Sequence, residues 1–346
     1  MIKVDSIFHH DQEFELESGA QLPGFQLKYT TYGQLNKERN NVVWVCHALT
    51  GSSDFTSWWG GFFDSESLFS PRDYFIICAN VLGGCYGSTG PLSINPLTKQ
   101  PYFHDFPLVT NRDVVRAFEL LQQKLRIEQI HTVIGGSLGG QQAIEWAIQQ
   151  PKLFRHLIAV ATNAVHSPWG IAFNESQRMA IAADQTWKEN DERAGSEGMK
   201  AARAFAMISF RAYQGYGATQ FEKNNSKLDD FRASSYQQYQ GQKLANRFNA
   251  FTYWLLTKMM DNHNVGRGRE SVEAALKQIQ AETLVIGIES DVLFPTIEQK
   301  YLAQHIPNAK YKEIKSLFGH DGFLVEFDQF KNIVRNFLKE TVLINR

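Results

Sequence analysis

The run GGSLGG at positions 135–140 places Ser137 in a G-x-S-x-G pattern. The apolar run IHTVI precedes it directly, and the helical pattern of Leu138–Gln149 follows it. A nucleophilic serine is exposed on a sharp turn in this strand–turn–helix setting, and flanking glycines let strand and helix approach closely. The alternative is a turn that binds phosphate at a helix N-terminus. A dinucleotide fingerprint needs G-x-G-x-x-G and an acid about 20 residues later, where this chain has the apolar run HLIAVA. We therefore predict that Ser137 is a nucleophile.

A serine nucleophile needs a histidine base, and on such a turn the chain order is serine, acid, histidine. Five histidines follow Ser137: His156, His166, His263, His305 and His320. His156 begins a predicted strand, His166 and His263 fall at the edge of or within a predicted helical segment, and His305 lies on an amphipathic helix. His320 stands in the loop LFGHDGF after a strand-like run, and we predict that it is the base.

The acid that orients the base is expected directly after a strand. The strand HLIAVA is followed by TNAV, which contains no carboxylate. The strand TLVIGI is followed by ESDVLFP, which offers Glu289 and Asp291. We choose Asp291 and keep Glu289 as the reserve, so the predicted catalytic residues are Ser137, Asp291 and His320.

An acyl transfer passes through an oxyanion, which backbone N–H groups must stabilise. One predicted donor is Leu138, the residue after the nucleophile. The second is expected in the turn HALTG after the strand NVVWVC, where we choose the N–H of Leu49. His47 is interpreted as a residue that structures this turn, and Cys46 and Cys78 as core residues.

These residues depend on strands that are buried on both faces. Five short β-branched and aromatic runs fit that description: Asn41–Cys46, Tyr74–Ala79, Ile130–Ile134, His156–Ala161 and Thr283–Ile288. Helical patterns alternate with them, including Asn111–Leu125, and this alternation predicts a mostly parallel sheet flanked by helices. The early runs Phe14–Leu16 and Phe25–Thr31 are predicted to form an antiparallel hairpin.

Proline distribution predicts a division of the chain. Eight of the ten prolines lie between Pro23 and Pro168, and residues 169–294 contain none. Since proline is costly inside helices, this stretch is predicted to be helical. The sequence predicts a core domain of residues 1–165 and 282–346 with a helical insertion at 166–281.

Composition excludes several classes of function. Of the 346 residues 43% are hydrophobic and 21% charged, and 35 basic against 36 acidic residues leave a net charge of −1. Nucleic-acid-binding proteins usually carry a basic surplus, and no apolar stretch is long enough for a membrane span. The acidic N-terminal run and the three cysteines without a CxxC pair predict a cytoplasmic protein with reduced thiols. No metal site is predicted.

Eight stretches make the sequence similar to the homoserine O-acetyltransferase family, across both the core and the insertion. They are CHALTGSSD (46–54), YFIICANVLGGCYGSTGPLSINP (74–96), FPLVTNRDVV (106–115), IGGSLGGQQAIEWA (134–147), SYQQYQGQKLANRF (235–248), LTKMMDNHNVGRGR (256–269), IGIESDVLFP (286–295) and GHDGFLVE (319–326). The CANVLGGCYGSTGP block is much more specific than G-x-S-x-G, because α/β hydrolases at large do not share it.

The resemblance implies an α/β-hydrolase fold with a helical lid and a homodimer joined through lid helices. It implies ping-pong chemistry in which Ser137 takes an acetyl group from acetyl-CoA and passes it to L-homoserine for methionine synthesis. Acetyl-CoA is then a co-substrate, with no permanently bound cofactor. The family's substrate arginine falls on Arg203, and Asp321 would hold the amino group of homoserine. A guanidinium and a carboxylate suit a zwitterion.

Two departures from the family pattern affect specificity. Phe210 stands where the family usually has a tyrosine, seven residues after Arg203, which removes a hydroxyl. The stretch Ser52–Glu66, predicted to line the acyl-donor tunnel, also differs from the commonest pattern. Arg211 is an alternative to Arg203, displaced by about 80° around the predicted helix.

Three alternative functions share the predicted triad. One is an esterase that uses water as the acceptor. Another is a transferase of the same family that uses succinyl-CoA or accepts serine. The third is a non-catalytic binding protein, which an intact triad disfavours.

Overall fold

The computed structural model describes residues 3–63 and 67–344. In those residues the strands are β1 (Lys3–His10), β2 (Phe14–Glu15), β3 (Gln21–Leu22), β4 (Phe25–Tyr32), β5 (Val42–Cys46), β6 (Phe75–Ala79), β7 (Ile130–Gly136), β8 (Phe154–Val160), β9 (Glu282–Ile288) and β10 (Ala309–Ile314). The α-helices are α1 (Phe55–Trp59), α2 (Asn111–Lys124), α3 (Leu138–Gln149), α4 (Pro168–Ala182), α5 (Ser196–Phe210), α6 (Tyr213–Gln220), α7 (Arg232–Ala245), α8 (Ala250–Asp261), α9 (Val272–Leu276), α10 (Thr296–His305), α11 (Gly322–Val325) and α12 (Phe327–Ile344).

Within this described part of the chain, eight strands form one sheet in the order β1-β4-β6-β5-β7-β8-β9-β10. The strands from β6 to β10 in that order run parallel, and β1 and β4 add an antiparallel edge. Parallel strands need crossover connections, and helices such as α2 and α3 supply them. The predicted mostly parallel sheet with flanking helices is confirmed.

The sheet is buried on both faces, as the apolar runs predict. Along β5, Trp44 packs into one hydrophobic cluster, whereas Val43 and Val45 pack into another. The Trp44 ring meets the ring of Trp146 of α3 edge to face, with 4.8 Å between centroids. Successive side chains of a strand point to opposite faces, so both faces of β5 require apolar residues.

The predicted N-terminal hairpin pairs differently in the structure. Phe14 of β2 pairs with Leu22 of β3, while β4 pairs with β1, for example Phe25 with His10. A tight turn causes this, because the N–H of Gly19 donates to the carbonyl of Leu16 and reverses the chain before β4. The two runs are antiparallel strands, but their proposed mutual pairing was wrong.

Between β8 and β9 the chain forms α4–α9, which we call the helical segment (residues 161–281). A buried hydrogen-bond network joins this segment to the core. Gln141 of α3 donates to the side chain of Asn163 at 3.0 Å, and His263 Nε2 donates to the Asn163 carbonyl at 3.1 Å. The network continues into α4 and α8 through His166, Asn174, Arg178 and Asp261. Among the described residues no helix is long and apolar enough to cross a membrane.

Candidate active site

A cavity of about 510 Å³ lies at the carboxyl ends of the parallel strands, beneath the helical segment. The turns after β5 and β7 and the loop after β10 form its floor, and α5 and α7 contribute to its roof. Ser137 and His320 both line it, together with Leu49, Arg203 and Asp321. The structure therefore brings most of the sequence-predicted site residues to one cavity.

Ser137 occupies a strained turn between β7 and α3. Its backbone angles are φ 57° and ψ −127°, in a region that residues other than glycine rarely adopt. The turn is fixed because the Ser137 N–H donates to the Val160 carbonyl and its own carbonyl accepts from Thr162 Oγ1, both at 2.9 Å. A Cβ on Gly139 would lie 2.1 Å from the Cys46 carbonyl oxygen, so only glycine fits that contact.

His320 and Asp291 form a buried pair. The Nδ1–H of His320 donates to Asp291 Oδ2 at 2.7 Å. The other carboxylate oxygen of Asp291 accepts from the N–H groups of Leu293 and Phe294, at 2.8 and 2.9 Å. These bonds fix the acid and leave Nε2 of the imidazole as the atom that can accept a proton. The reserve candidate, Glu289, is exposed and makes no such contact among the described hydrogen bonds.

Two groups close to the Asp291 carboxylate, His320 and Glu298, have pKa values above their ordinary range. Burial lowers the pKa of His320, but the facing Asp291 carboxylate outweighs that effect, so the pKa lies above its ordinary value. Glu298 of α10 is the second group, and it accepts a hydrogen bond from Asn163 at 3.0 Å. Burial raises the pKa of Glu298 to about 7, and the nearby Asp291 carboxylate adds to the shift.

The pH dependence of the acylation rate should follow His320. Only neutral imidazole can accept the serine proton, so a raised pKa keeps the base protonated and inactive up to a higher pH. We expect kcat/KM to rise with pH through a midpoint above about 6.5, the value for free imidazole. Initial rates between pH 5 and 9 measure this midpoint. Glu298→Gln is the control, because it removes a second group close to Asp291 whose pKa is shifted into this range. A midpoint that moves strongly in Glu298→Gln would contradict the assignment to His320.

The predicted oxyanion donors belong to the two turns that form part of the cavity floor. Leu138 is the first residue of α3, where backbone N–H groups have no helical partner and face the cavity end of the helix. Leu49 lies in the turn after β5, in which the Ala48 carbonyl accepts from the Gly51 N–H at 2.8 Å. A trans peptide points its C=O and N–H in opposite directions. The bond on the Ala48 carbonyl therefore sets the direction of the Leu49 N–H.

His47 structures the turn as the sequence suggested. Its Nε2 accepts from the Val81 N–H at 3.1 Å, so its proton is on Nδ1, which donates to the Ala48 carbonyl at 2.9 Å. Burial lowers the pKa of His47 to about 4. A neutral imidazole with both nitrogens bonded to the backbone cannot serve as a second base.

Two charged side chains, Arg203 and Asp321, line the cavity. The guanidinium of Arg203 lies over the ring of Phe210, 5.1 Å from its centroid. Asp321 is half-buried and ion-paired with Arg211 at 3.3 Å. Burial raises the pKa of Asp321, whereas the guanidiniums of Arg211 and Arg203 act in the opposite direction.

Arg211 is the C-cap residue of the helix that carries Arg203. Helix α5 ends at Phe210, and the N–H of Arg211 still donates to the Met207 carbonyl, while its extended backbone turns the following chain away from the helix. The helical pattern in the sequence continues to Tyr213, so the sequence did not indicate that the helix ends at Phe210. The actual position of Arg211 makes it the ion-pair partner of Asp321 instead of a displaced copy of Arg203.

Sequence reasoning missed Arg247, which follows α7 and lines the same cavity. Its Nη1 donates to the Thr50 carbonyl at 2.8 Å and also to the hydroxyl of Tyr86. No short motif signals a contact between residues almost 200 positions apart. Of the stretch Ser52–Glu66, the residues Ser52, Ser57 and Trp58 line the cavity, and positions 64–66 lie outside the described residues.

The remaining histidines and the cysteines lie elsewhere. His156 bonds to the His131 carbonyl and Thr341, and His263 belongs to the buried network. Cys46 and Cys78 are buried free thiols, and burial raises the pKa of each. The described residues contain no group of three or more His, Cys, Asp or Glu side chains placed to hold a metal ion.

Comparison with known proteins places this site in context. The family model for the α/β hydrolase fold matches residues 41–327. A homoserine O-acetyltransferase of Cyclobacterium marinum is 48% identical over 97% of this chain and 96% of its own length. The crystal structure of homoserine O-acetyltransferase from Bacillus anthracis superposes with a TM-score of 0.90 at 26% identity, covering 98% of each chain.

The same architecture also occurs in an esterase. The crystal structure of esterase E22 superposes with a TM-score of 0.87 at 22% identity, over 97% of this chain and 100% of its own. At that identity the similarity shows the fold alone. The architecture therefore does not distinguish a transferase from a hydrolase.

Proposed function

This chain belongs to the homoserine O-acetyltransferase family within the α/β hydrolases, and we propose that it transfers acetyl from acetyl-CoA to the hydroxyl of L-homoserine through an acyl-serine intermediate. The observation that carries the acyl-transfer chemistry is the His320–Asp291 pair on the cavity that Ser137 also lines. The similarity to homoserine O-acetyltransferases over nearly the whole chain supports the choice of acceptor.

The first half-reaction would acetylate Ser137. His320 Nε2 takes the proton from Ser137 Oγ as the oxygen attacks the thioester carbonyl of acetyl-CoA. The N–H groups of Leu49 and Leu138 stabilise the tetrahedral oxyanion. The carbon–sulfur bond then breaks, His320 returns the proton to the sulfur, and CoA leaves.

The second half-reaction would transfer the acetyl group to homoserine. His320 accepts the proton of the homoserine hydroxyl, whose oxygen attacks the acetyl carbonyl at the same oxyanion site. The Ser137 oxygen leaves with the proton from His320, and O-acetyl-L-homoserine is released for methionine biosynthesis. Asp291 holds the imidazole in the required tautomer throughout both steps.

Charges on the cavity wall support an amino-acid acceptor. Arg203 offers two parallel N–H groups for a carboxylate, and the Phe210 ring supports the guanidinium from below. Asp321 offers a carboxylate for the ammonium group and is held in place by Arg211. A water acceptor carries no charge, so an esterase would not need Arg203 and Asp321 in these positions.

Arg203→Ala should impair the use of homoserine while leaving acetylation of Ser137 by acetyl-CoA nearly intact. Loss of a charge-assisted bidentate contact should lower kcat/KM for homoserine by roughly 10²-fold, mainly through KM. Stopped-flow acylation and steady-state homoserine titration measure the two half-reactions separately.

Lys200→Ala is the matched control for this variant. Lys200 lies on the same helix one turn earlier and pairs with Glu197 at 2.6 Å. Arg211→Ala is not neutral, because it releases Asp321. Equal losses in both half-reactions of Arg203→Ala would contradict the assignment, as would a homoserine defect confined to Arg211→Ala.

Product identification tests the function as a whole. The protein is incubated with homoserine and acetyl-CoA, with succinyl-CoA and serine as alternative substrates, and the products are identified by mass spectrometry. We expect O-acetylhomoserine as the main product and CoA release that depends on homoserine. Release of CoA at the same rate without homoserine would identify a hydrolase.

We also propose a cytoplasmic homodimer joined through the helical segment. Phe205 and Ile208 of α5 expose 46% and 55% of their surface, and Phe221 and Phe231 are exposed in the same segment. Large exposed apolar side chains grouped on one element are typical of an interface. Light scattering of the purified protein measures the mass, and a monomer at micromolar concentration would contradict the dimer.

A further inference from the structure

Arg247 connects the helical segment to the turn that carries the proposed oxyanion donor. We propose that Arg247 is a positioning residue for the oxyanion hole: it fixes the Thr50 carbonyl and, through the turn, the direction of the Leu49 N–H. This inference rests on the proposed acyl-transfer function and adds a role for a residue of the helical segment in both half-reactions.

The coupling runs through two peptide groups. Arg247 Nη1 donates to the Thr50 carbonyl at 2.8 Å, which fixes that oxygen toward Arg247 at the end of α7. Because the peptide is trans, the Gly51 N–H points the opposite way, and it donates to the Ala48 carbonyl at 2.8 Å. The Ala48 carbonyl belongs to the same peptide as the Leu49 N–H, so the direction of that N–H is set in turn.

Residues of the core hold the other side of the turn that contains Leu49. His47 Nδ1–H donates to the Ala48 carbonyl at 2.9 Å, and Val81 holds the other ring nitrogen. A Cβ on Gly51 would lie 3.1 Å from the Ala48 oxygen, so the turn has little spare space. Arg247 is therefore the contact through which the helical segment acts on a turn that the core already constrains.

The guanidinium itself is held in place. Arg247 follows the end of α7, where its N–H donates to the Leu244 carbonyl at 3.0 Å. Its Nη1 also donates to the Tyr86 hydroxyl, and the Tyr86 carbonyl accepts from Asn80 at 2.7 Å. The ring of Tyr86 packs edge to face on Phe248, with 5.8 Å between centroids. A guanidinium with two neutral oxygen acceptors and fixed neighbours is suited to holding a backbone carbonyl.

The competing role for an exposed arginine at a cavity mouth is to bind a phosphate of the acyl donor. The two roles make different predictions. A phosphate contact would affect binding of acetyl-CoA but not of S-acetylpantetheine, which lacks the nucleotide phosphates. A positioning contact would affect the rate of acyl transfer from both donors, because both transition states use the same oxyanion site.

The experiment compares wild type, Arg247→Ala and Arg232→Ala by single-turnover kinetics with both donors. Arg232 is the matched control: it lies on α7, is exposed and donates to the Thr219 carbonyl within the helical segment. We expect Arg247→Ala to slow acetylation at saturating donor, and transfer from the acyl-enzyme to homoserine, each by about 10-fold to 100-fold. Loss of an oxyanion donor itself costs about 10²–10³-fold. The KM values of Arg247→Ala for both donors should stay near those of wild type. The rates of Arg232→Ala should also be close to wild type.

Isotope-edited infrared spectra of the acetyl-enzyme give a second readout that a merely structural role would not move. Hydrogen bonds from the oxyanion hole lower the stretching frequency of the acyl carbonyl, so Arg247→Ala should shift this band to higher wavenumber. Unchanged rates and an unchanged band would overturn the proposal. A loss confined to acetyl-CoA affinity would overturn it in favour of a phosphate contact. If wild type passes acetyl to water and not to homoserine, the proposed acceptor fails, while acylation rates and the infrared band still test Arg247.

Discussion

Ser137→Ala should abolish turnover, with a loss of about 10⁶-fold in kcat. The substitution removes the only atom that forms the covalent intermediate of the proposed mechanism, while alanine fills nearly the same space on the turn. Wild type mixed with acetyl-CoA alone should gain one acetyl group on the peptide that contains Ser137. Steady-state assays and peptide mass spectrometry measure the two effects.

Ser209→Ala is the control for Ser137→Ala. Ser209 is also buried, but its hydroxyl bonds within α5 to the Ala206 carbonyl at 2.9 Å and lies outside the residues lining the cavity. It should keep both activity and acetylation. If Ser137→Ala retains more than a few per cent of wild-type activity, another residue is the nucleophile.

Asp291→Asn should fold normally and lose about 10⁴-fold in kcat. An amide can donate to the imidazole where the carboxylate accepts, so it favours the tautomer that carries the proton on Nε2. That tautomer cannot take the proton of Ser137. The backbone N–H groups of Leu293 and Phe294 can still donate to the amide oxygen, so the loop should keep its shape.

Glu289→Gln separates the two candidate acids. Glu289 lies two residues earlier in the same loop, but it is exposed, whereas Asp291 contacts His320 at 2.7 Å. Its substitution should change kcat little. Thermal unfolding of both variants checks that the loop is intact, and a large loss in Glu289→Gln with an active Asp291→Asn would move the acid to Glu289.

The elements of the core could be predicted because their local patterns agree with their surroundings. The five apolar runs are buried on both faces, which leaves no polar alternation to obscure them. Helix α2 also carries its own start signal: Thr110 and Asp113 form a capping box at its N-terminus. Such signals are local, so they are visible without knowledge of the fold.

The chain order of the site could be predicted for a similar reason. Ser137, Asp291 and His320 each follow a strand, and the carboxyl ends of parallel strands meet at one edge of a sheet. Once the parallel sheet is predicted, proximity of the three residues follows from topology. The 2.7 Å contact between His320 and Asp291 agrees with that expectation.

Contacts that depend on where a helix ends, or on two distant loops, were not predictable. The apolar spacing of α5 continues past Phe210, so nothing local indicated that the helix ends there and that Arg211 pairs with Asp321. The contact of Arg247 with the Thr50 carbonyl involves a backbone acceptor, which has no signature in the side-chain pattern. The pairing of β4 with β1 required knowing the turn at Gly19.

The buried network beneath the helical segment has a consequence for how substrates reach the serine. Lifting the helices would separate Asn163, His166 and His263 from their partners in the core, Gln141 and Asn111, at about 1–3 kcal/mol for each unsatisfied group. We expect these bonds to oppose a rigid-body opening of the helical segment in each catalytic cycle. Substrates would then reach Ser137 through the cavity as it stands, which bulk water can also enter. The proposed preference for homoserine over water would then depend on how well the charges of Arg203 and Asp321 retain the acceptor.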